Sequence, residues 1–93
     1  MNETGDDMNA TTTNDERIKY AIASLRRGGT RARAIGVRIE TGQFVTDVQF
    51  GLGVAMFGTE KRECWSTTDG DNARDAVRIC ERLGHVPTIF MVV

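Results

Sequence analysis

The most reactive side chains in this sequence are one histidine and two cysteines. His85 needs a nucleophile or a substrate within hydrogen-bond reach to act as a general base, and the sequence has no Ser/His/Asp or Cys/His signature to arrange one. Cys64 and Cys80 form neither a CxxC redox pair nor, with a single histidine, a four-ligand zinc set. We therefore predict a non-enzymatic protein without metal or cofactor, in which both cysteines are small core residues. An enzyme that uses His85 with Cys64 or Cys80 ranks last of three functional hypotheses.

Two stretches have the composition of ligand loops but lack residues that such loops need. Residues 51–58 carry the glycine pattern GxGxxxxG, but no predicted helix follows and no GK[ST] ending is present. We predict turns and a bulge there. Asp69, Asp71 and Asp75 stand in DGDNARD, which lacks the twelve-residue loop and terminal glutamate of an EF-hand. We predict that these acids cap the start of a helix.

A basic block is the one compositional feature that points to a partner. The net charge is −1, yet residues 17–38 contain seven basic residues and no acidic one. Arg31 and Arg33 should lie where the first strand begins, near the end of a preceding helix. Clustered guanidinium groups suit phosphates and carboxylates. The alternative is a solvated rim that the acidic residues near the chain start neutralise. The predicted binding arginines are Arg26, Arg27, Arg31, Arg33 and Arg38.

Trp65 is the sixth predicted binding residue, and its orientation decides that role. In a strand over residues 62–66, Trp65 and Cys64 point to opposite faces of the sheet, so only one of them faces the core. A large aromatic side chain contributes most to a small core, which favours Trp65 inside. On the open face of the sheet it would instead be a partner-binding anchor. The sequence leaves both orientations open.

Two segments have the apolar spacing of amphipathic helices. The first starts at Thr13 in a TxxE capping box, carries an apolar stripe and ends at a Gly-Gly pair. The second follows the capping acids, places Arg74 and other charged residues on a solvated face, and ends at Gly84, where a left-handed residue is needed. Both helices are therefore bounded by sequence signals at each end.

Elsewhere the apolar period changes to two, which predicts strands. In the second of them, strict alternation places Phe44 and Val48 on one face and Val45 on the other. The last, TIFMVV, is apolar at odd and even positions alike, which suits a strand covered on both faces. The predicted strands are residues 32–40, 43–50, 54–57, 62–66 and 88–93.

The order helix, four strands, helix, strand predicts the fold. Short connections favour an antiparallel meander, and the second helix returns the last strand to the sheet. We predict an α+β two-layer sandwich, with a mainly antiparallel sheet of four to five strands and both helices on one face. Residues 13–93 form this single domain, after a disordered acidic and polar tail of residues 1–12.

The overall composition is that of an ordinary soluble protein. Hydrophobic residues make up 40% and charged residues 27%, and no apolar run approaches the ~20 residues of a membrane span. The start of the chain has neither the basic nor the apolar segment of a secretory signal. We expect a cytoplasmic protein with no membrane partner. An apolar strand at the end of the sequence also predicts a homodimer, formed through that strand or through the open sheet face.

In general character, this motif-poor, mixed-charge chain with a polar leader is similar to small phage-encoded inhibitors such as anti-CRISPR proteins. That resemblance implies an inhibitor that blocks a larger complex by binding to it. The leading hypothesis, which the absence of catalytic residues motivates, is an inhibitor or adaptor that docks on a larger protein or ribonucleoprotein complex through an arginine-rich edge and a sheet face. The order of elements also resembles the double-stranded RNA-binding domain, but that family has a lysine-rich patch where this chain has Asp69, Asp71 and Asp75. The second hypothesis is a nucleic-acid-binding module that contacts phosphates through the five arginines.

Overall fold

The computed structural model describes residues 10–29 and 31–93, which form two helices and a five-stranded antiparallel sheet. This is the predicted α+β class, with the predicted order of elements and both helices on one face of the sheet. The elements are helix α1 (Ala10–Arg27), strands β1 (Ala34–Arg38), β2 (Phe44–Gln49) and β3 (Val54–Gly58), a 3-10 turn (Lys61–Glu63), strand β4 (Ser66–Thr67), helix α2 (Gly70–Arg82) and strand β5 (Thr88–Val92).

Helix α1 begins earlier than the capping box predicts. Its backbone is helical from Ala10, so Thr13 lies within the helix. A threonine and a glutamate three residues apart are also neighbours on the surface of a longer helix, so the pattern does not by itself fix a start. Of the predicted tail, residues 1–9 lie outside the described residues. The helix ends at Arg27, as predicted, and Gly28 follows with a φ of 73°.

Both ends of α2 have the caps that the sequence predicts. Asp69 stands before the first turn, and its carboxylate accepts hydrogen bonds from the N–H groups of Asp71 at 2.8 Å and Asn72 at 3.3 Å. Gly84 has a φ of 91° and closes the helix in a Schellman motif, whose two hydrogen bonds end on carbonyls of the last turn. The helix is thus stopped by residues adjacent to it in the sequence.

Strand β1 lies at the centre of the sheet and pairs with three strands. On one side it pairs with the whole of β5. On the other side it pairs with β2 only at Arg38 and Phe44, and with β4 at Ile35 and Gly36. Strand β2 therefore diverges from β1, and β4 fills the opening. Strand β3 pairs with β2, which leaves β3 and β5 as the edge strands of the described chain.

The fourth strand is shorter and starts later than the predicted residues 62–66. Residues 61–63 turn in a 3-10 helix, and only the two residues of β4 pair with β1. The Trp65 N–H donates to the Val45 carbonyl of β2 at 2.8 Å. Residues 65–67 thus bond first to β2 and then to β1. Because the segment changes partner within a few residues, only a short strand lies beside β1.

A bulge in β2 changes which of its side chains face the core. Thr46 is left over between the ladder pairs that Val45 and Asp47 make with β3. Beyond this extra residue the alternation is reversed, so Val45 and Val48 both lie buried beneath the helices. The predicted alternation, with Phe44 and Val48 on one face, is therefore wrong.

The hydrophobic core lies between the sheet and the two helices. Cys80 is fully buried there, as predicted for a small core residue. Both layers contribute side chains, so burial of this one face holds the helices on the sheet. The buried apolar residues that form the cluster are Ile18, Ala21, Ile35, Val37, Ile39, Val45, Val48, Ala73, Ala76, Val77, Ile79, Cys80 and Ile89.

Asn14 is a buried polar residue that ties α1 to the sheet. Its side chain is 2% exposed, its Nδ2 donates to the Pro87 carbonyl at 3.0 Å, and its Oδ1 accepts from the Ile89 N–H at 3.3 Å. The amide thus satisfies two backbone groups at the start of β5, which burial would otherwise make costly.

Arg74 joins the two helices, although its helical spacing assigns it to the solvated face. Its guanidinium donates to Asp15 of α1 at 2.9 Å and to Asp71 of α2 at 2.8 Å. The hydrogen bond to Asp15 is the largest cause of a raised Arg74 pKa. The side chain is therefore placed by partners on both helices.

Candidate functional site

The five predicted binding arginines do not form a single cluster. Four of them occupy the end of α1 and the connection to β1, which we call the arginine-rich edge: Arg26, Arg27, Arg31 and Arg33. Arg38 lies at the opposite end of β1, on the face of the sheet away from the helices. All five side chains are exposed.

Within the arginine-rich edge, Arg26 and Arg33 line one cleft of about 750 Å³ between the end of α1 and the start of α2. Ile22 and Leu25 also line this cleft, and so does Asp69 with its neighbours Thr68 and Gly70. An anion bound here would meet the Asp69 carboxylate as well as the two guanidinium groups. The cleft therefore has mixed charge, which weakens it as a phosphate site.

The sheet face opposite the helices is uncovered in the described part of the chain, and we call it the open face. Val54 and Met56 of β3 are 40% and 61% exposed. Phe44 and Phe90 are half-buried, and their rings meet edge to face with centroids 5.5 Å apart. Exposed apolar side chains gathered on one face are a common feature of interaction sites in soluble proteins.

Phe90 is held over the middle of the open face by the backbone of β1. Gly36 lies directly beneath its ring. A Cβ on Gly36 would come 2.6 Å from Phe90 Cζ, so the ring can pack this close only over a glycine. The Lys61 ammonium lies 5.6 Å from the centre of the same ring. Arg38 stands opposite Phe44 in the ladder and so shares its face. Two cations therefore border the aromatic pair.

Trp65 lies on the helix-covered side of the sheet. It is half-buried, packs against the hydrophobic core, and meets Phe50 edge to face with centroids 6.0 Å apart. Of the two orientations that the sequence allows, this is the one with Trp65 inside. The position gives no support to Trp65 as an anchor on the open face.

His85 pairs with a carboxylate that the sequence analysis does not connect to it. Its Nδ1 lies 2.9 Å from Glu40 Oε2, and the Val86 N–H donates to Glu40 Oε1 at 2.8 Å. An ionised carboxylate only accepts hydrogen bonds, so Nδ1 carries the proton. The hydrogen bond from the His85 side chain, and then that from Val86, lower the Glu40 pKa from 4.5 to about 2. The ladder pairing of Arg38 with Thr88 is the signal that brings Glu40 beside Val86.

Cys80 does not have the properties of a catalytic nucleophile. Burial is the main cause that raises its thiol pKa to about 11, so the thiol is protonated at neutral pH. The backbone N–H of His85 donates to the backbone carbonyl of Cys80, while the His85 imidazole is hydrogen-bonded to Glu40. Among residues 10–29 and 31–93, no group of three or more His, Cys, Asp or Glu side chains is placed to hold a metal ion.

Neither helix in the described part of the chain has the length and apolar character needed to cross a lipid bilayer. Comparisons with protein-family models, with curated proteins and with solved structures found no match.

Proposed function

We propose that this protein is a small non-enzymatic binding protein that acts as an inhibitor or adaptor of a larger protein or ribonucleoprotein complex. Its docking surface is the open face of the sheet, extended by the arginine-rich edge. The observation that carries the proposal is the apolar surface that the open face exposes around Phe44, Val54, Met56 and Phe90.

The chemistry of the open face is that of a protein-protein interface. Aromatic residues, methionine and arginine are enriched in interface cores, and binding energy is concentrated in a few such residues. Here Met56 and the two phenylalanines supply the apolar centre, and Arg38 and Lys61 supply positive charge at its border. Asp47 pairs with Met56 and so shares this face, which gives it charge of both signs. The surface therefore fits a partner with an apolar patch and charged groups of both signs around it.

The test compares the proteins that three forms of the chain capture from a lysate of its source cells. Met56→Glu places a charge on the open face, and the matched control Ala23→Glu places the same charge on an exposed position of α1. We expect the wild type and Ala23→Glu to retain a common partner that Met56→Glu retains about tenfold less, as for the loss of ~1.4 kcal/mol of binding energy. Equal retention by all three would contradict the open face as the docking surface.

A second candidate function is nucleic-acid binding by the arginine-rich edge. The exposure of its four arginines favours it. Fluorescence anisotropy of labelled duplex and single-stranded DNA and RNA, titrated across a salt series, tests it. The logarithm of the affinity should fall with the logarithm of salt by roughly 0.9 for each phosphate contacted on duplex DNA. Arg33→Glu should weaken binding more than the exposed control Arg62→Glu, and absence of binding at low salt would remove this candidate.

A further inference from the structure

Strand β5 has an open outer side. In the described chain it pairs with β1 alone. The Val92 carbonyl accepts from the Arg33 N–H at 2.8 Å, so the backbone of Val92 faces inward, toward β1. The Ile89 N–H is bonded to Asn14, so the backbone of Ile89 faces outward. Because strand residues alternate, the N–H and carbonyl of Met91 also face outward.

Asn14 closes only the beginning of this edge. Its amide occupies the Pro87 carbonyl and the Ile89 N–H. The outward groups beyond it include the Ile89 carbonyl, both backbone groups of Met91 and the Val93 N–H. An edge of this kind is a template for another strand. Because Asn14 occupies the earlier groups, such a strand can pair only from the Ile89 carbonyl onward, past Met91.

An apolar groove of about 360 Å³ runs beside the open part of the edge, between β5 and α1. Tyr20, 79% exposed, and the exposed Arg17 stand on its helical wall, and Met91 lies on its strand wall. A strand added to the β5 edge would place its own side chains against this groove. The groove therefore suits an occupant that is apolar on the helix side.

We propose that the occupant is a second copy of this chain, whose β5 pairs antiparallel with the first about a twofold axis beside Met91. The N–H of each Met91 then donates to the carbonyl of the other Met91. The Ile89 carbonyl of each copy is placed to accept from the Val93 N–H of the other. On the helix side the two Met91 side chains are neighbours in the groove. On the open face, Phe90 of each copy is level with Val92 of the other, so both faces of the joined strands are apolar.

The charges of α1 favour a second copy over an unrelated strand. Asn14 contacts the start of β5 and Tyr20 shares the groove with Met91, so α1 runs in the same direction as β5. The twofold axis beside Met91 therefore passes close to Tyr20, with the two α1 helices antiparallel. Glu16 lies one turn before Tyr20 and Arg27 two turns after it, so both share the Tyr20 face of α1, at about 6 Å and about 10 Å from it along the helix. Each exposed Glu16 is thus brought level, within about one helical turn, with the exposed Arg27 of the other copy.

The test is the mass of the isolated chain, measured by sedimentation equilibrium over a range of concentrations. We expect reversible dimers, and Tyr20→Arg should raise the dissociation constant at least about tenfold because two cations would then meet at the axis. Met56→Arg introduces the same charge on the open face and should leave the dissociation constant unchanged. Tyr20 and Met56 are exposed, so both variants should fold, which thermal melts would verify.

A charge exchange tests the antiparallel arrangement. Glu16→Arg alone and Arg27→Glu alone should each weaken the dimer, and both changes together should restore it. A monomer at every concentration would overturn the proposal, as would a dimer that Tyr20→Arg leaves intact or one that the combined exchange fails to restore. None of these outcomes bears on the proposed function, because the measurement contains no partner.

Discussion

Asn14 joins α1 to the start of β5 through two buried hydrogen bonds. Asn14→Ala leaves the Pro87 carbonyl and the Ile89 N–H buried without a partner. We expect the free energy of unfolding to fall by about 1–3 kcal/mol, measured by urea denaturation. The matched control is the exposed Asn72→Ala in α2, which should change it by less than about 0.5 kcal/mol. Equal effects of the two substitutions would mean that the Asn14 hydrogen bonds do not stabilise the fold.

Glu40 makes the stability depend on pH in acid. Its pKa in the folded protein is about 2, below the ordinary 4.5, so between these values the unfolded chain binds more protons. The stability that Glu40 contributes is therefore present above about pH 4.5 and is lost as the pH falls toward about 2.

The substitution Glu40→Gln isolates this effect. The difference in unfolding free energy between the wild type and Glu40→Gln, from urea denaturation at a series of pH values, should be largest above about pH 4.5 and should shrink toward about pH 2. His85→Ala removes the main partner of the carboxylate and should flatten the same dependence. A difference that stays constant from pH 2 to pH 7 would show that the hydrogen bonds to Glu40 are not formed in solution.

Residues with local partners could be predicted from the sequence, and residues with distant partners could not. Asp69 and Gly84 act on backbone groups a few positions away, so composition at the helix ends was sufficient. Asn14 bonds to a residue 73 positions away and Glu40 to one 45 positions away. Those contacts depend on strand register and helix placement, which no local pattern contains. The separation of Arg38 from the arginine-rich edge likewise depends on strand and helix placement, so it could not be predicted from a local pattern.

At the scale of elements, β1 and β5 are fitted together by Gly36 and Phe90. Gly36→Ala introduces a Cβ that would lie 2.6 Å from the Phe90 ring, so the ring or the strand has to move. We expect a loss of about 1–3 kcal/mol of unfolding free energy. In a Phe90→Ala background the same substitution should cost less, because the obstructing ring is gone and alanine is favoured over glycine in a strand interior. A double-mutant cycle in urea measures the coupling, and a cost independent of residue 90 would contradict the close approach.

The pattern of elements was largely predictable, while two irregularities in the sheet were not. Apolar spacing gave both helices and the order of the strands, because one buried face imposes its period on the sequence. The bulge at Thr46 inserts one residue that no period reveals, and it places Val48 with Val45 in the core. Strand β4 is short because its segment passes from β2 to β1, and this depends on how far the two strands diverge.

At the scale of the whole molecule, the two layers leave different surfaces for different uses. Both helices lie on one face of the sheet, so the other face keeps its apolar side chains exposed. The arginine-rich edge lies at one end of the sheet, and the open edge of β5 lies along one side. The proposed dimer would place Phe90 of the open face and Arg27 of the arginine-rich edge at its interface, so a partner on the open face and a second copy on β5 would meet at Phe90.

The most direct test of the open face as the docking surface is photo-crosslinking in the source cells. A benzoylphenylalanine residue replaces Met56 on the open face in one form of the protein, and replaces the exposed Ala23 of α1 in another. The account predicts that the residue at position 56 crosslinks to one larger partner protein, and that the residue at position 23 does not. Crosslinking of the same protein from position 23, with none from position 56, would contradict it.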